Sequence, residues 1–167
     1  VEAQLEQAGE PSPNVIAVQV GVGSLAAAVV PAWRGRRSRR DPAIIGVEPD
    51  AAGCGFASAA AGRRVTVPGP HASVMAGLNC GTLSSAAWPL LERGIDAFVT
   101  IDDETALEAV RLLEADGIVS GESGAAGLGG LLALAGDPSA ADLRRRLGIG
   151  AAARVLVIST EGVTDPD

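Results

Sequence analysis

The stretch "NVIAVQVGVGSLAAAVV", residues 14–30, changes character twice over a short distance. From Asn14 to Val20 it is apolar and rich in β-branched residues, which reads as a buried strand. Glycines follow at 21 and 23, and an Ala- and Val-rich run from Ser24 to about Arg34 then reads as a helix. Glycine permits backbone angles that other residues resist and lets the main chain approach an anion closely. The free N–H groups and dipole of the following helix favour a negative group there, most often a phosphate.

The same alternation runs along the rest of the chain. A strand is expected over 43–50 ("AIIGVEPD"), a short helix over 51–62 and a short third strand over 63–69 ("RRVTVPG"). Residues 73–94 read as mixed helix and loop. Residues 95–103 read as a strand, and 103–117 as a helix with Ala106, Ala109, Val110 and Leu113 at helical spacing. "SGESGAAGLGGLLALAG" (120–136) is a glycine-rich turn entering an almost wholly apolar helix, and such a helix belongs in the interior. A helix with an arginine face (142–147) and a last strand (153–162) complete the order. This predicts an α/β fold, a mostly parallel sheet with helices on both faces. Ligands of such sheets bind beyond the carboxyl ends of the strands, where "GVGS", "GESG" and "STEG" fall. With no internal repeat or low-complexity linker, residues 1–167 read as one unit.

Composition narrows the function. A net charge of −7 argues against nucleic-acid and anionic-membrane partners. Scarce aromatics (Trp33, Trp88, Phe56 and Phe98) argue against stacking on single-stranded nucleic acid. No apolar run approaches the ~20 residues of a membrane span, and no signal peptide precedes the first strand, which together predict a cytoplasmic protein. Cys54 and Cys80 lack metal-ligand spacing and read as ordinary thiols. His71, the single histidine, reads as a loop residue. "WRGRRSRR" (33–40) reads as a solvated helix end and loop. All thirteen basic side chains are arginine; there is no lysine. The opening "VEAQLEQAG" reads as the last turns of a helix closed by Gly9, and the tail stops just after a strand, as in an excerpt of a longer chain.

Read alone, the glycine turn leaves two cofactors open. "GVGSLA" fits the dinucleotide pattern G-x-G-x-x-A, with Ala26 last and Glu48 placed as a ribose-binding acid, which would make this an NAD-binding Rossmann domain. "SGESGAAGLGG" after a strand and "VLVISTEG" at the end are not required by that fold. In this order they resemble the type II family of pyridoxal phosphate enzymes, which includes threonine dehydratase and tryptophan synthase β. "VGVGSLAAAVV", "GVEPD", "VMAGLNCGTLSSAAWPLL", "IVSGESGAAGLGGLLAL" and "VISTEGVTDP" are similar, in sequence order, to segments of the diaminopropionate ammonia-lyases.

That resemblance covers nearly all 167 residues and implies the carboxyl-terminal, large-domain part of an enzyme more than twice as long. It implies pyridoxal 5′-phosphate as cofactor, with its phosphate on Gly21, Val22, Gly23 and Ser24. Glu122 would face the ring, and Ser159 or Thr160 would meet the pyridine nitrogen. "GLNCGT" (77–82) would line the substrate side. A neutral hydroxyl at the nitrogen suits β-elimination. The implied parent reaction is α,β-elimination of 2,3-diaminopropionate, a small amino acid, to pyruvate and ammonia, in a homodimer. The Schiff-base lysine of these enzymes lies in the amino-terminal part together with the small domain. Arginine cannot replace it, so no catalytic residue is assigned here and the isolated chain is expected to be inactive. A catalytically dead homologue that binds a ligand or partner is the non-enzyme alternative.

Overall fold

The computed structural model describes residues 2–35 and 41–162. Among these, β1 (Val15–Gln19), β2 (Ala43–Pro49), β3 (Ala97–Ile101) and β4 (Val155–Val157) form one sheet. The spatial order is β3-β2-β1-β4, and every pairing is parallel. Val15 stands beside both Ala43 and Val155, so β1 is central. All five of its residues are buried, which is why it reads as a continuous apolar run rather than an alternating one. The chain steps outward from β1 through β2 to β3, then returns to the other side of β1 for β4. Strand order therefore reverses between β1 and β4, the switch point beside whose carboxyl ends sheets of this kind form their binding crevice.

The two faces are covered by different helices. Ile16, Val18 and Val20 pack with α2 (Ser24–Trp33) and α4 (Trp88–Gly94). Val15, Ile45 and Val47 pack with α6 (Glu122–Gly136) and with Leu143 and Leu147 of α7 (Ala141–Leu147). The glycines of α6 explain how closely it lies on the sheet. A Cβ on Gly127 would stand 3.0 Å from the Ala17 carbonyl, and one on Gly130 would stand 2.5 Å from Val47 Cγ2. Ala109 and Leu113 of α5 (Asp103–Ala115) pack against Ala125 and Leu128, so α6 is enclosed as its sequence predicts. The short helices α1 (Glu2–Gln7) and α3 (Cys54–Ala61) complete the set.

Two expectations are corrected. Residues 63–69 make no sheet strand; their ladder is one antiparallel bridge, Thr66 with Thr82. Pro68 and Pro70 lack the N–H a strand must donate, while the amides of Val65 and Val67 go to Ser58 Oγ and the Gly81 carbonyl. The last strand stops at Val157, because the next carbonyl, of Ile158, accepts from the Gln19 side chain instead of a neighbouring strand. The arginine run at 36–40 and the tail at 163–167 lie outside the described residues. Among those described, no helix is long and apolar enough to cross a membrane.

Candidate cofactor site at the carboxyl ends of the strands

The turn from β1 into α2 forms one wall. Gly23 has φ +92°, the left-handed region, and precedes α2 without a side-chain cap. Its missing side chain faces the core, since a Cβ would lie 2.9 Å from Leu91 Cδ2 and 3.3 Å from Ala87 Cβ. Gly21 lies outside the left-handed region, and a Cβ there would stand 2.9 Å from the Gly77 carbonyl and 3.3 Å from Leu78 Cα. The two glycines therefore do different work. Gly23 turns the backbone over the α4 side of the core, and Gly21 admits the 77–80 segment. Val22 and Ser24 are exposed, and the Val22 carbonyl accepts from the Ser84 amide at 2.9 Å. Among the described residues, the amides of Val22, Gly23, Ser24 and Leu25 donate to no protein acceptor. Four free N–H groups at a helix start suit a phosphate.

The opposite wall is the start of α6 with the end of β4. The Glu161 carboxylate accepts from the amides of Ser123 at 2.9 Å and Gly124 at 3.3 Å, so it caps α6 from 37–38 residues away. The Gly121 amide donates to the Glu161 carbonyl at 3.2 Å. Ser123 Oγ accepts from the Gly77 amide at 3.1 Å, which ties "GLNCGT" to "GESG". Glu122 sits half-buried in the first turn of α6, where the helix dipole favours an acid. In the substrate-side segment, Asn79 Nδ2 donates to the Ser73 carbonyl at 2.8 Å, and Cys80 is a half-buried free thiol. Of the three segments expected at strand ends, "GVGS" follows β1 and "STEG" follows β4, whereas "GESG" follows α5 with no strand between; it meets the other two, and "GLNCGT", between the carboxyl ends of β1 and β4.

Gln19 joins the two strands across that crevice. It is 4% exposed, and its Nε2 donates to the Ile158 carbonyl at 2.9 Å and to Thr160 Oγ1 at 2.8 Å. Its Oε1 is sealed from solvent with no partner among the described residues, at a cost of about 1–3 kcal/mol. Ser159 is held differently: its Oγ lies 2.9 Å from Ser120 Oγ, which in turn donates to the Gly121 carbonyl. Gln19, Ser120, Ser123 and Glu161 were not singled out from the sequence. Gln19 had a signal, being the polar residue of "VIAVQV" within a strand buried on both faces, where a polar side chain must find a partner.

Glu48 decides against the dinucleotide alternative. Its carboxylate is fully buried and accepts from the amides of Gly55 and Phe56, each at 2.7 Å, with Cys54 Sγ at 3.6 Å. Burial outweighs those hydrogen bonds and pushes its pKa up to about 7. Burial and the adjacent Glu48 push the Cys54 thiol up to about 12. An acid spent on holding the start of α3 is not available to a ribose. His71 Nε2 lies 3.1 Å from the Val67 carbonyl, inside its own loop.

The family model described as "Pyridoxal-phosphate dependent enzyme" matches residues 2–161. The chain belongs to that family. Among its relatives, the diaminopropionate ammonia-lyase of Salmonella typhimurium is 38% identical over 98% of this chain and 43% of its own length. The Escherichia coli K12 diaminopropionate ammonia-lyase is also 38% identical, over 92% of this chain and 40% of its own. The chain therefore spans less than half the length of these relatives. A crystal structure of the E. coli enzyme, in complex with an aminoacrylate-PLP azomethine reaction intermediate, superposes with a TM-score of 0.82 at 35% identity. It covers 98% of this chain and 42% of that one. Maize serine racemase, at 23% identity and a TM-score of 0.80 over 98% of this chain and 46% of its own, shares the fold.

Proposed function

We propose that this chain is the cofactor-holding, carboxyl-terminal part of a diaminopropionate ammonia-lyase. The parent reaction would be α,β-elimination of 2,3-diaminopropionate to pyruvate and ammonia. The observation that carries this reading is the meeting of the 21–24 turn, the 77–82 segment, the start of α6 and the end of β4 at one crevice. It is supported by family membership and by 38% identity to enzymes of that name.

The residues present fit pyridoxal 5′-phosphate. The free amides of Val22, Gly23, Ser24 and Leu25 would hold its phosphate, and a Cβ at Gly21 would narrow the space by displacing the 77–78 backbone. Glu122 would face the ring, with a hydroxyl of Ser159 or Thr160 at the pyridine nitrogen. When bound, the cofactor supplies an electron sink for breaking bonds at the substrate α-carbon. The chain's own part is to bind it, orient it between β1 and β4, and keep its nitrogen hydrogen-bonded to a neutral group. With no lysine in the sequence, the amine that these enzymes use would come from the remainder of the parent, and the isolated chain would be inactive.

Thermal denaturation with pyridoxal phosphate and, separately, with NAD tests the cofactor. Stabilisation by pyridoxal phosphate alone is expected, and stabilisation by NAD alone would overturn the reading. Borohydride treatment should fix no cofactor to an internal residue, and the chain should form no pyruvate from diaminopropionate. Supplying the remainder of the Salmonella relative in trans should restore pyruvate formation.

A further inference from the structure

We propose that an arginine-lined groove at the amino ends of the strands binds a small oxyanion carrying two or more negative charges. The groove lies at the end of the sheet opposite the cofactor crevice and is independent of the cofactor reading. Asn14 immediately precedes β1, Ala43 begins β2, Asp96 precedes β3 and Arg154 precedes β4. All four line this one groove, whose volume is about 840 Å³. Spaces of about 300–1,000 Å³ are the size that holds small molecules.

Arginines reach the groove from separate elements. Arg34 ends α2, which covers one face of the sheet, whereas Arg145 and Arg146 belong to α7, which covers the other. Arg154 enters from the start of β4 and is fixed at its root. Its amide donates to Asn14 Oδ1 at 2.6 Å, its carbonyl accepts from the amides of Asn14 and Val15, and its Nε donates to the Ser12 carbonyl at 3.1 Å. Its two terminal nitrogens meet no protein acceptor among the described residues.

The acids around the groove leave these arginines unevenly matched. Asp96 holds Arg34 and accepts from the Ile44 amide at 2.7 Å, and Asp41 accepts from the Gly35 amide at 2.9 Å. Asp142 is shared between Arg145 and, at 3.4 Å, Arg146, and its side chain is 61% exposed. Pairs so open to water hold weakly, so both arginines can turn to a ligand. Arg154 has no carboxylate to leave. A monoanion would offer Arg145 and Arg146 no more than Asp142 already does. An occupant that gains by entering therefore carries at least two charges, on oxygens that guanidinium forks grip in pairs. Phosphoryl groups and clustered carboxylates share that chemistry. The local excess of positive charge stands on a chain of net charge −7, whose wider field repels such anions.

Titration calorimetry of the purified 167-residue chain in low-salt buffer, with pyrophosphate and separately with citrate, tests the site. At least one of the two should bind saturably and about tenfold more tightly than acetate, and the tighter one tells phosphoryl from carboxylate ligands. Arg145→Gln combined with Arg146→Gln should weaken that binding about tenfold, and Arg154→Gln about fivefold. Arg111→Gln, on α5 and outside the groove, should stay within about twofold of the native chain. Arg154→Gln also loses the bond to Ser12; if it does not fold, the Arg145 and Arg146 pair, whose side chains meet only Asp142 among the described residues, decides the matter. Binding of neither anion, or of acetate equally tightly, would overturn the proposal. Native affinity in the groove variants would put the anion elsewhere, such as on the amides of residues 22–25, and would overturn the groove while leaving the cofactor reading intact. An equal loss in Arg111→Gln would show net charge acting in place of the groove and would overturn it as well.

Discussion

Replacing Gly23 by alanine places a Cβ 2.9 Å from Leu91 Cδ2 and 3.3 Å from Ala87 Cβ, at a residue with φ +92°. The left-handed backbone costs a non-glycine residue about 1–2 kcal/mol. The end of the Leu91 side chain can swing aside but Ala87 cannot, so overpacking adds about 1–3 kcal/mol. Together Gly23→Ala should lose about 2–5 kcal/mol, which at an m-value of roughly 2 kcal/mol per molar lowers the urea midpoint by about 1–2.5 M. Gly117→Ala is the matched control: its φ is +77°, and nothing lies within 4 Å of the new Cβ. It should lose only the backbone part, about 1–2 kcal/mol. Urea titrations followed by far-ultraviolet circular dichroism, with unchanged m, measure both. A Gly23→Ala midpoint equal to or above that of Gly117→Ala would refute the argument, because the core would then not press on the turn.

Glu48 should make stability fall as pH rises. Its folded pKa is raised from 4.5 to about 7, so below 4.5 both states hold the proton and nothing is lost. Between 4.5 and 7 the unfolded chain releases it first, which costs the fold up to about 3 kcal/mol; melting temperature against pH should show this slope, and Glu48→Gln should flatten it. Glu161→Ala leaves the amides of Ser123 and Gly124 without their acceptor, and should cost about 1 kcal/mol in a urea titration. Gly130→Ala brings a Cβ to 2.5 Å from Val47 Cγ2 and should lower the melting temperature, whereas Gly136→Ala meets open space and should raise it by gaining up to about 1 kcal/mol of helix propensity.

Local patterns carried most of the architecture. A β-branched apolar run, a glycine corner and an Ala-rich helix can be read from neighbours in the chain, because burial on both faces of a parallel strand demands continuous apolarity. The apolar α6 was legible for the same reason, as were the "GVGS" and "STEG" segments at strand ends, whereas "GESG" follows α5 with no strand between. Local reading failed where a distant partner decides. Residues 63–69 look like a strand, but their amides are claimed by Ser58 and Gly81. Glu48 looks like a ribose ligand by its place after a strand, but tertiary packing seals it on the amides of Gly55 and Phe56. Gly21 and Gly23 look equivalent, and only the fold sets one against the Gly77 carbonyl and the other against Leu91. The sheet order also needed the fold, since nothing in the chain says that β4 returns beside β1. That return brings Gln19 within hydrogen-bond reach of Thr160, a contact across 141 residues. Hydrophobic periodicity is a property of adjacent residues and survives in one dimension. The pairing of a buried amide with a hydroxyl is set by which strands become neighbours, and only three dimensions record it.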